Sequence, residues 1–441
     1  MCKNSLRYYI KELLTIAAPI ILGNLGFILI GIGDVIVAGR HSTDTFAAIS
    51  IATAITNCIV TFGIGLIASI SPLLSNYRGE NRAVKKYFYP SIRFAMVLAT
   101  LTACLIFLCI PLISKMGFED KLVPLIQEYM FITGFSTFGA YLHACLKEFL
   151  QSFEIVLFPN LLTIFCVFLN LVLNIVLVFG FGPIPSLGVV GLAIASLIVR
   201  YFMGIILLIY CFMKMNLRNY HEKGYYTSLV KIGLPISTAI LVEFIAFNSI
   251  AIFMGRYSGV YAAAQNLVCS LTTISFMVPF AISNAIAIKV GFANGAKNIV
   301  DLKKYSLVGV LMSVGFMVCS ALVFLSFPKQ IVGIFTVDAE LFKIAIPIMA
   351  ILAVFQTFDG LQIALAGICK GIKQTNIVLV ANFVAYWLVS IPLGYLLAFK
   401  YNLLLSGFWI GLVTAAVILC AIMIIMLMNY YHKTYKNKNL V

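Results

Sequence analysis

LLTIAAPIILGNLGFILIGIGDVIVAGR, residues 13–40, and LVKIGLPISTAILVEFIAFNSIAIFMGR, residues 229–256, are two versions of one segment. Displaced by 216 positions without a gap, Leu13 meets Leu229, Ile16 meets Ile232, Pro19 meets Pro235, Gly39 meets Gly255 and Arg40 meets Arg256. The register continues through Ala47–Ala48 on Ala263–Ala264, Thr56 on Thr272 and Gly79 on Gly295. Each segment is apolar beyond the roughly 20 residues that a helix needs to cross a bilayer. A repeat of this length is far longer than a solenoid unit and marks a duplicated half-protein. The acids do not repeat: Asp34 falls on Ile250, and Glu243 falls on Phe27. The scaffold is duplicated and the charges are specialised.

The 441 residues are 62% hydrophobic and 10% charged, against about 25% charged in a soluble domain. That balance implies an all-α integral membrane protein, since no barrel-like alternation occurs and a bilayer admits only helices or closed barrels. The N-terminal segment MCKNSLRYYIKE leads into a span too long for a signal-peptide core, so it is expected to be retained. Eleven scattered cysteines form no CxxC pair and read as small apolar packing residues.

Hydropathy predicts twelve spans, at 13–38, 45–71, 88–112, 124–146, 157–180, 188–213, 229–254, 261–288, 305–327, 341–366, 377–399 and 404–428. With the N-terminus inside, twenty-one of the 30 lysines and arginines fall in inner loops and six in outer ones, which predicts cytoplasmic termini. Such dispersed inner charge faces anionic lipid and accounts for the net charge of +15 without nucleic-acid binding. An even number of spans separates the two repeat starts, so both halves enter the membrane from the same side. The expected architecture is twelve transmembrane helices in two six-helix bundles related by a parallel repeat: residues 1–213, a polar cytoplasmic linker at 214–228, and 229–441 with its basic tail.

Three carboxylates lie within spans: Asp34, Glu243 and Asp359. An ionised carboxylate at the bilayer centre costs about 2.5–3.5 kcal/mol on insertion scales. It escapes that cost by taking a proton or by binding a cation, so all three are expected to couple to H⁺ or Na⁺. The other reading, an acid that hydrogen-bonds helices together, is set against this for each. No base sits near mid-span to answer them, and an acidic interior favours cationic passengers. Amides embedded in spans, among them Asn174, Gln265, Asn266 and Gln362, could coordinate Na⁺ or line a substrate site, although interhelical bonding is the commoner use of such groups. Gln362 at i+3 and Phe355 at i−4 share a helix face with Asp359, and an aromatic beside an acid suits a cation.

Enzyme signatures are absent: the four histidines are isolated, Gly31-Ile32-Gly33 is not completed to GxGxxG, and no GxxxxGK[ST] occurs. No cofactor is expected.

Several pieces together resemble one family. They are LTIAAPI with GIGDVIVAGR, FLNLVLNIVLVFGFGPIPSLGVVGLAIAS, LVKIGLPISTAILVEF, VPFAISNAIAIKVGFANGAKN, FDGLQIALAGICKGIKQTN, and NFVAYWLVSIPLGYLLAF with GFWIGL. In order and spacing they are similar to the multidrug and toxic compound extrusion (MATE) transporters, NorM-like branch. The resemblance implies a monomeric inner-membrane antiporter that exports organic cations or drugs against Na⁺ or H⁺ by rocking-bundle alternating access. It implies cation binding, Na⁺ if sodium-coupled, at Glu243 and Asp359, coupling or substrate binding at Asp34, and a polar cluster containing Asn174. Departures occur where relatives carry His-Gln and this chain has Gln265-Asn266, and where Phe355 replaces a tyrosine. The alternative of related architecture, a lipid-linked saccharide flippase, needs cavity arginines for an anionic headgroup, and this chain has acids instead.

Overall fold

The computed structural model describes residues 5–183, 185–215, 217, 224–336 and 338–435. Within hydrocarbon each backbone N–H and C=O must be paired inside its own segment, so long apolar runs become helices. In chain order these are α1 (Leu6–His41), α2 (Thr43–Ile67), α3 (Ile70–Gly79), α4 (Phe88–Cys109), α5 (Leu122–Ser152), α6 (Leu157–Phe179), α7 (Gly188–Lys214) and α8 (Tyr225–Tyr257). They continue as α9 (Gly259–Gly295), α10 (Ile299–Ser326), α11 (Pro328–Phe335), α12 (Ala339–Gly371), α13 (Asn376–Asn382), α14 (Ile391–Tyr395) and α15 (Leu404–Tyr435).

The twelve expected spans fall on helical backbone except for a turn at 68–69 inside the second and single residues at the ends of the fifth and ninth. Among the described residues, eleven helical stretches are long and apolar enough to cross a membrane. The remaining expected span lies in α5, which is 31 residues long but more polar, with Gln127, Glu128, Thr133, Ser136, Thr137 and His143 along it. Several helices overrun their expected bounds, because no breaker stops them: α9 runs 37 residues and α12 runs 33. Of the expected linker 214–228, residues 216 and 218–223 lie outside the described residues, and helix α8 already begins at Tyr225. Lys3, Arg218, Lys223, His221, Lys436 and Lys438 also lie outside them.

The duplication is visible in the local geometry. Ser42 caps α2 by accepting from Thr45 N (3.0 Å), and Ser258, 216 positions on, caps α9 by accepting from Val260 N (3.3 Å). Past Gly79 and Gly295, Asn81 (φ 59°) and Lys297 (φ 57°) both turn into the left-handed region.

The chain separates into two compact units, Ala18–Ser237 and a unit combining Met1–Ala17 with Thr238–Val441. The long helices α1 and α8 therefore each contribute to both units. Inside the first unit the α5 and α7 backbones approach closely at Gly139, where a Cβ would lie 2.7 Å from Tyr201 N. Inside the second, a Cβ on Gly407 of α15 would lie 2.6 Å from Ala398 N. Between α13 and α14 the residues Phe383–Ser390 adopt π-helical geometry. Pro392 follows directly: it has no N–H for the Leu388 carbonyl, and its ring crowds that carbonyl, so the ladder widens just upstream.

Candidate functional site

Asp34, on α1, is held in the first unit by two helices, α6 and α7. Asn170 and Asn174, one turn apart on α6, share a face. Asn174 Nδ2 donates to Asp34 Oδ1 (2.6 Å) and to Asn170 Oδ1 (3.1 Å), while Ser196 Oγ from α7 donates to Asp34 Oδ2 (3.3 Å). Both asparagines are buried, and among the described residues Asn174 Oδ1 and Asn170 Nδ2 have no partner. A buried polar atom left unpaired costs about 1–3 kcal/mol, so this cluster is poised to accept a further polar or charged ligand. Arg200 on α7 donates to Ser136 (2.7 Å).

Glu243 on α8 and Asp359 on α12 lie in the second unit, and the α12 residue Gln362, one turn beyond Asp359, links the two through Tyr386. Tyr386 Oη, from the π-helical stretch, donates to Glu243 Oε1 (3.0 Å), and Gln362 Nε2 donates to Tyr386 Oη (3.3 Å). Asp359 is 2% exposed and accepts no hydrogen bond among the described residues. Gln362 Oε1 is likewise buried without a partner. Two carboxylates and an idle carbonyl oxygen in an apolar surround make an acceptor-rich, donor-poor site. Its chemistry suits a small cation or a proton.

An aromatic wall stands beside these acids. Phe355 and Trp409 meet edge to face (ring centroids 5.6 Å), and Phe247 lies about equally far from Phe355, Trp409 and Tyr386. Trp409 Nε1 donates to Gln265 Oε1 (3.0 Å), and Gln356 Nε2 donates to Ser275 Oγ (2.9 Å). The chain's other tryptophan, Trp387, donates to Val242 O (3.3 Å), next to Glu243.

The structure thus joins Asp34 with Asn174 in one unit, and joins Glu243, Asp359 and Gln362 in the other, with Phe355 and Gln265 linked through Trp409. Asn266 is not brought in: its side chain is exposed, because the helix turns Gln265 inward and the next residue away. Ser196, Ser275, Tyr386 and Trp409 were missed from sequence. The available signal was that both of the chain's tryptophans lie in the last two apolar stretches, and that Tyr386 sits one helical turn beyond the buried amide Asn382. Among the described residues no three His, Cys, Asp or Glu side chains gather as a metal site.

These features define a class: an all-α, multi-span membrane transporter with polar groups gathered inside apolar helices. The chain belongs to the MatE family, whose model matches residues 19–176 and 235–396, and it is a secondary transporter rather than an enzyme. It is 27% identical to "Probable multidrug resistance protein NorM" of Bacillus licheniformis, over 93% of each chain. It is also 27% identical to "Multidrug resistance protein NorM" of Aliivibrio fischeri, again over 93% of each. The Vibrio cholerae MATE transporter VcmN in the bent form shares the fold with a TM-score of 0.89 at 18% identity, over 99% of both chains.

Proposed function

We propose that the protein exports organic cations or drugs in exchange for Na⁺ or H⁺, with Glu243 and Asp359 as the ion-coupling pair and Asp34 as a third coupling acid. The carrying observation is the hydrogen-bonded chain from Gln362 through Tyr386 to Glu243, with the buried Asp359 one turn before Gln362 on α12. Na⁺ or H⁺ arriving from outside neutralises the pair. The protein's hold on a bound cation weakens, and the cation leaves. The neutralised bundles then rock inward and release the ion. This requires that ion and passenger favour different states, because a ligand with equal affinity for both shifts nothing.

The reading carries with it twelve spans in two six-helix bundles, 1–213 and 229–441, joined by 214–228. It also carries a cell (inner) membrane location, a monomeric state and cytoplasmic termini. The repeat supports the two bundles, and the excess of lysine and arginine in the loops read as inner supports the cytoplasmic termini. Gln362 Oε1 and the carboxylate oxygens are the ligands that the site offers to Na⁺, while Asn174 and the Phe355–Trp409 wall line the passage. Gln265 belongs to the lining through its bond to Trp409, and Asn266 is kept as a lining residue on the exposed side of α9.

The test is ethidium efflux from energised cells expressing the protein, with and without Na⁺ and with a protonophore. Na⁺-dependent efflux that survives the protonophore makes the pair a Na⁺ site. Efflux that ignores Na⁺ and collapses with the proton gradient makes it a proton carrier. If efflux persists when Asp34, Glu243 and Asp359 are all replaced by amides, the coupling mechanism is wrong.

A further inference from the structure

The repeat sets Phe27 of α1 where α8 carries Glu243. Glu243 reaches, through Tyr386, to the α12 amide Gln362. Phe27 instead meets two bases of α5. Its ring centroid lies 5.8 Å from that of His143, and Lys147 Nζ stands 5.6 Å from the same centroid. His143 and Lys147 are one helical turn apart and share a face. All three residues belong to the first unit. By hydropathy Lys147 falls in an inner loop; in the structure it lies within α5, which ends only at Ser152.

The hydrogen-bond donors around Phe27 lack acceptors. His143 is 2% exposed, and its Nε2 has no partner among the described residues. Asn24, at i−3 from Phe27 on α1, has a buried Nδ2 in the same condition. Lys147 is half-buried and makes no hydrogen bond or ion pair among the described residues. Glu148 follows it in the chain and is turned about 100° round the helix. An ammonium taken out of water without an answering charge is costly, and unpaired buried amides and imidazoles add to the cost. Ammonium, amide N–H and the imidazole tautomer protonated at Nε2 all donate. The surroundings of Phe27 are therefore donor-rich and acceptor-poor, the reverse of those of Glu243. The basic stripe continues along α5: Ser136, seven residues before His143 and on the same face, accepts from Arg200 of α7 (2.7 Å).

We propose that Asn24, Phe27, His143 and Lys147 form an anion subsite in the first unit that takes the carboxylate of an aromatic passenger. The ammonium pairs with the carboxylate, and His143 and Asn24 donate to it. A bare oxyanion would need only these donors. The Phe27 ring, 44% exposed beside them, offers a face or edge to a second ring. Asp34 shares the Phe27 face of α1 but lies seven residues on, about 10 Å along the helix, so its charge does not occupy the subsite. That the ligand is a passenger rests on the transport reading above; that the subsite binds it does not.

The experiment uses the full chain in phosphatidylcholine nanodiscs, titrated calorimetrically with naphthoate, with its uncharged analogue naphthamide, and with acetate. Naphthoate is expected to bind about tenfold tighter than naphthamide or more, the ratio that a charge-assisted hydrogen bond supplies. Lys147→Gln should weaken naphthoate by about the same factor and leave naphthamide unchanged, while Lys147→Arg keeps the preference. A lysine with a merely structural role would move both ligands together. Equal wild-type affinities for naphthoate and naphthamide overturn the subsite, and that comparison needs no variant to fold. A Lys147→Gln protein that still prefers naphthoate by the wild-type ratio overturns it as well. Acetate that competes as well as naphthoate makes this a bare oxyanion site, of the kind a lipid headgroup fills, and overturns the aromatic passenger. Ethidium efflux from liposomes is measured alongside: wild type that binds naphthoate and exports nothing overturns the transport reading and leaves the subsite standing.

Discussion

Replacing Glu243 by Gln tests the ion pair most cleanly. The amide keeps the length of the side chain and keeps an Oε1 acceptor for Tyr386 Oη, now at 3.0 Å, so packing is preserved and a single negative charge is lost. A unit charge about 4 Å from a bound cation is worth ~4 kcal/mol at an effective dielectric of about 20. Part of that attraction is offset by dehydrating the ion, and about 2 kcal/mol is a reasonable remainder, in the range of a net charged hydrogen bond. At 1.36 kcal/mol per tenfold, the coupling-ion concentration for half-maximal efflux rises about 30-fold. The assay is ethidium efflux from liposomes titrated with Na⁺ at fixed pH, or with external pH if the wild type proves proton-driven. Tyr386→Phe is the control: it keeps both charges and loses only a neutral donor, so its shift is smaller than that of Glu243→Gln. A shift for Glu243→Gln below about threefold, which is ~0.65 kcal/mol, with an unchanged maximal rate, would refute the assignment of this acid to ion binding.

Asn174→Ala removes the 2.6 Å donor to Asp34 and opens a gap between α1 and α6; efflux is expected to drop about tenfold, for the ~1.5 kcal/mol of a bond to a charged group, with the detergent-solubilised protein still monodisperse. Trp409→Phe leaves the Gln265 Oε1 acceptor buried and unpaired, so thermal unfolding followed by intrinsic fluorescence shows a loss of about 1–3 kcal/mol; adding Gln265→Leu recovers part of it, and no recovery would mean that the bond is not what stabilises the site. Gly139→Val drives a side chain into the Tyr201 backbone, which cannot give way as a flexible side chain could, and is expected to cost more than about 2 kcal/mol. By contrast, Gly315→Ala on α10, where a Cβ meets open space, leaves thermal stability unchanged or slightly raised; equal effects at the two glycines would contradict the packing argument.

Much of the site was legible because a charge in an apolar span has few excuses. Asp34, Glu243 and Asp359 stand out against hydropathy alone, and Gln362 follows from its i+3 spacing to Asp359. What escaped was decided by tertiary distance. Tyr386 lies 143 residues from Glu243 and Trp409 lies 144 from Gln265, and aromatics in late spans are compositionally ordinary. The turn that presents Tyr386 is π-helical, and only the later Pro392 hints at it. Gln265 and Asn266 were read as a pair, yet neighbouring helical residues point about 100° apart, so one faces Trp409 and the other does not. The expected span 45–71 stops eight residues short of Gly79, and others stop short by fewer, because polar and basic residues end a hydropathy window without ending a helix.

The repeat separates what holds the molecule together from what makes it work. Features that survive the 216-residue shift are geometric: the helix caps Ser42 and Ser258, the left-handed residues Asn81 and Lys297, and the buried tyrosines Tyr9 and Tyr225. Those that do not survive are charges: Asp34 against Ile250, Glu243 against Phe27, Glu12 against Ser228 and Lys289 against Leu73. A duplicated pair of bundles with identical charges would bind the same ligand twice and prefer neither of two conformations. Direction requires that ion and passenger bias the two states differently, and that bias must come from residues which one half has and the other lacks. Transplanting Glu243 onto Phe27 should therefore not create a second coupling site: the residues that would correspond to Gln362 and Tyr386 are Leu146 and Asn170. The former is apolar, and the latter is already bonded to Asn174. Phe27 is itself 44% exposed, with Lys147 Nζ 5.6 Å from its ring, so an added acid there would meet water and a lysine in place of a tyrosine and an amide, and the expected outcome is an unchanged ion stoichiometry. A Phe27→Glu variant that folds and moves an additional ion per passenger would show that the scaffold, and not the unduplicated side chains, specifies coupling.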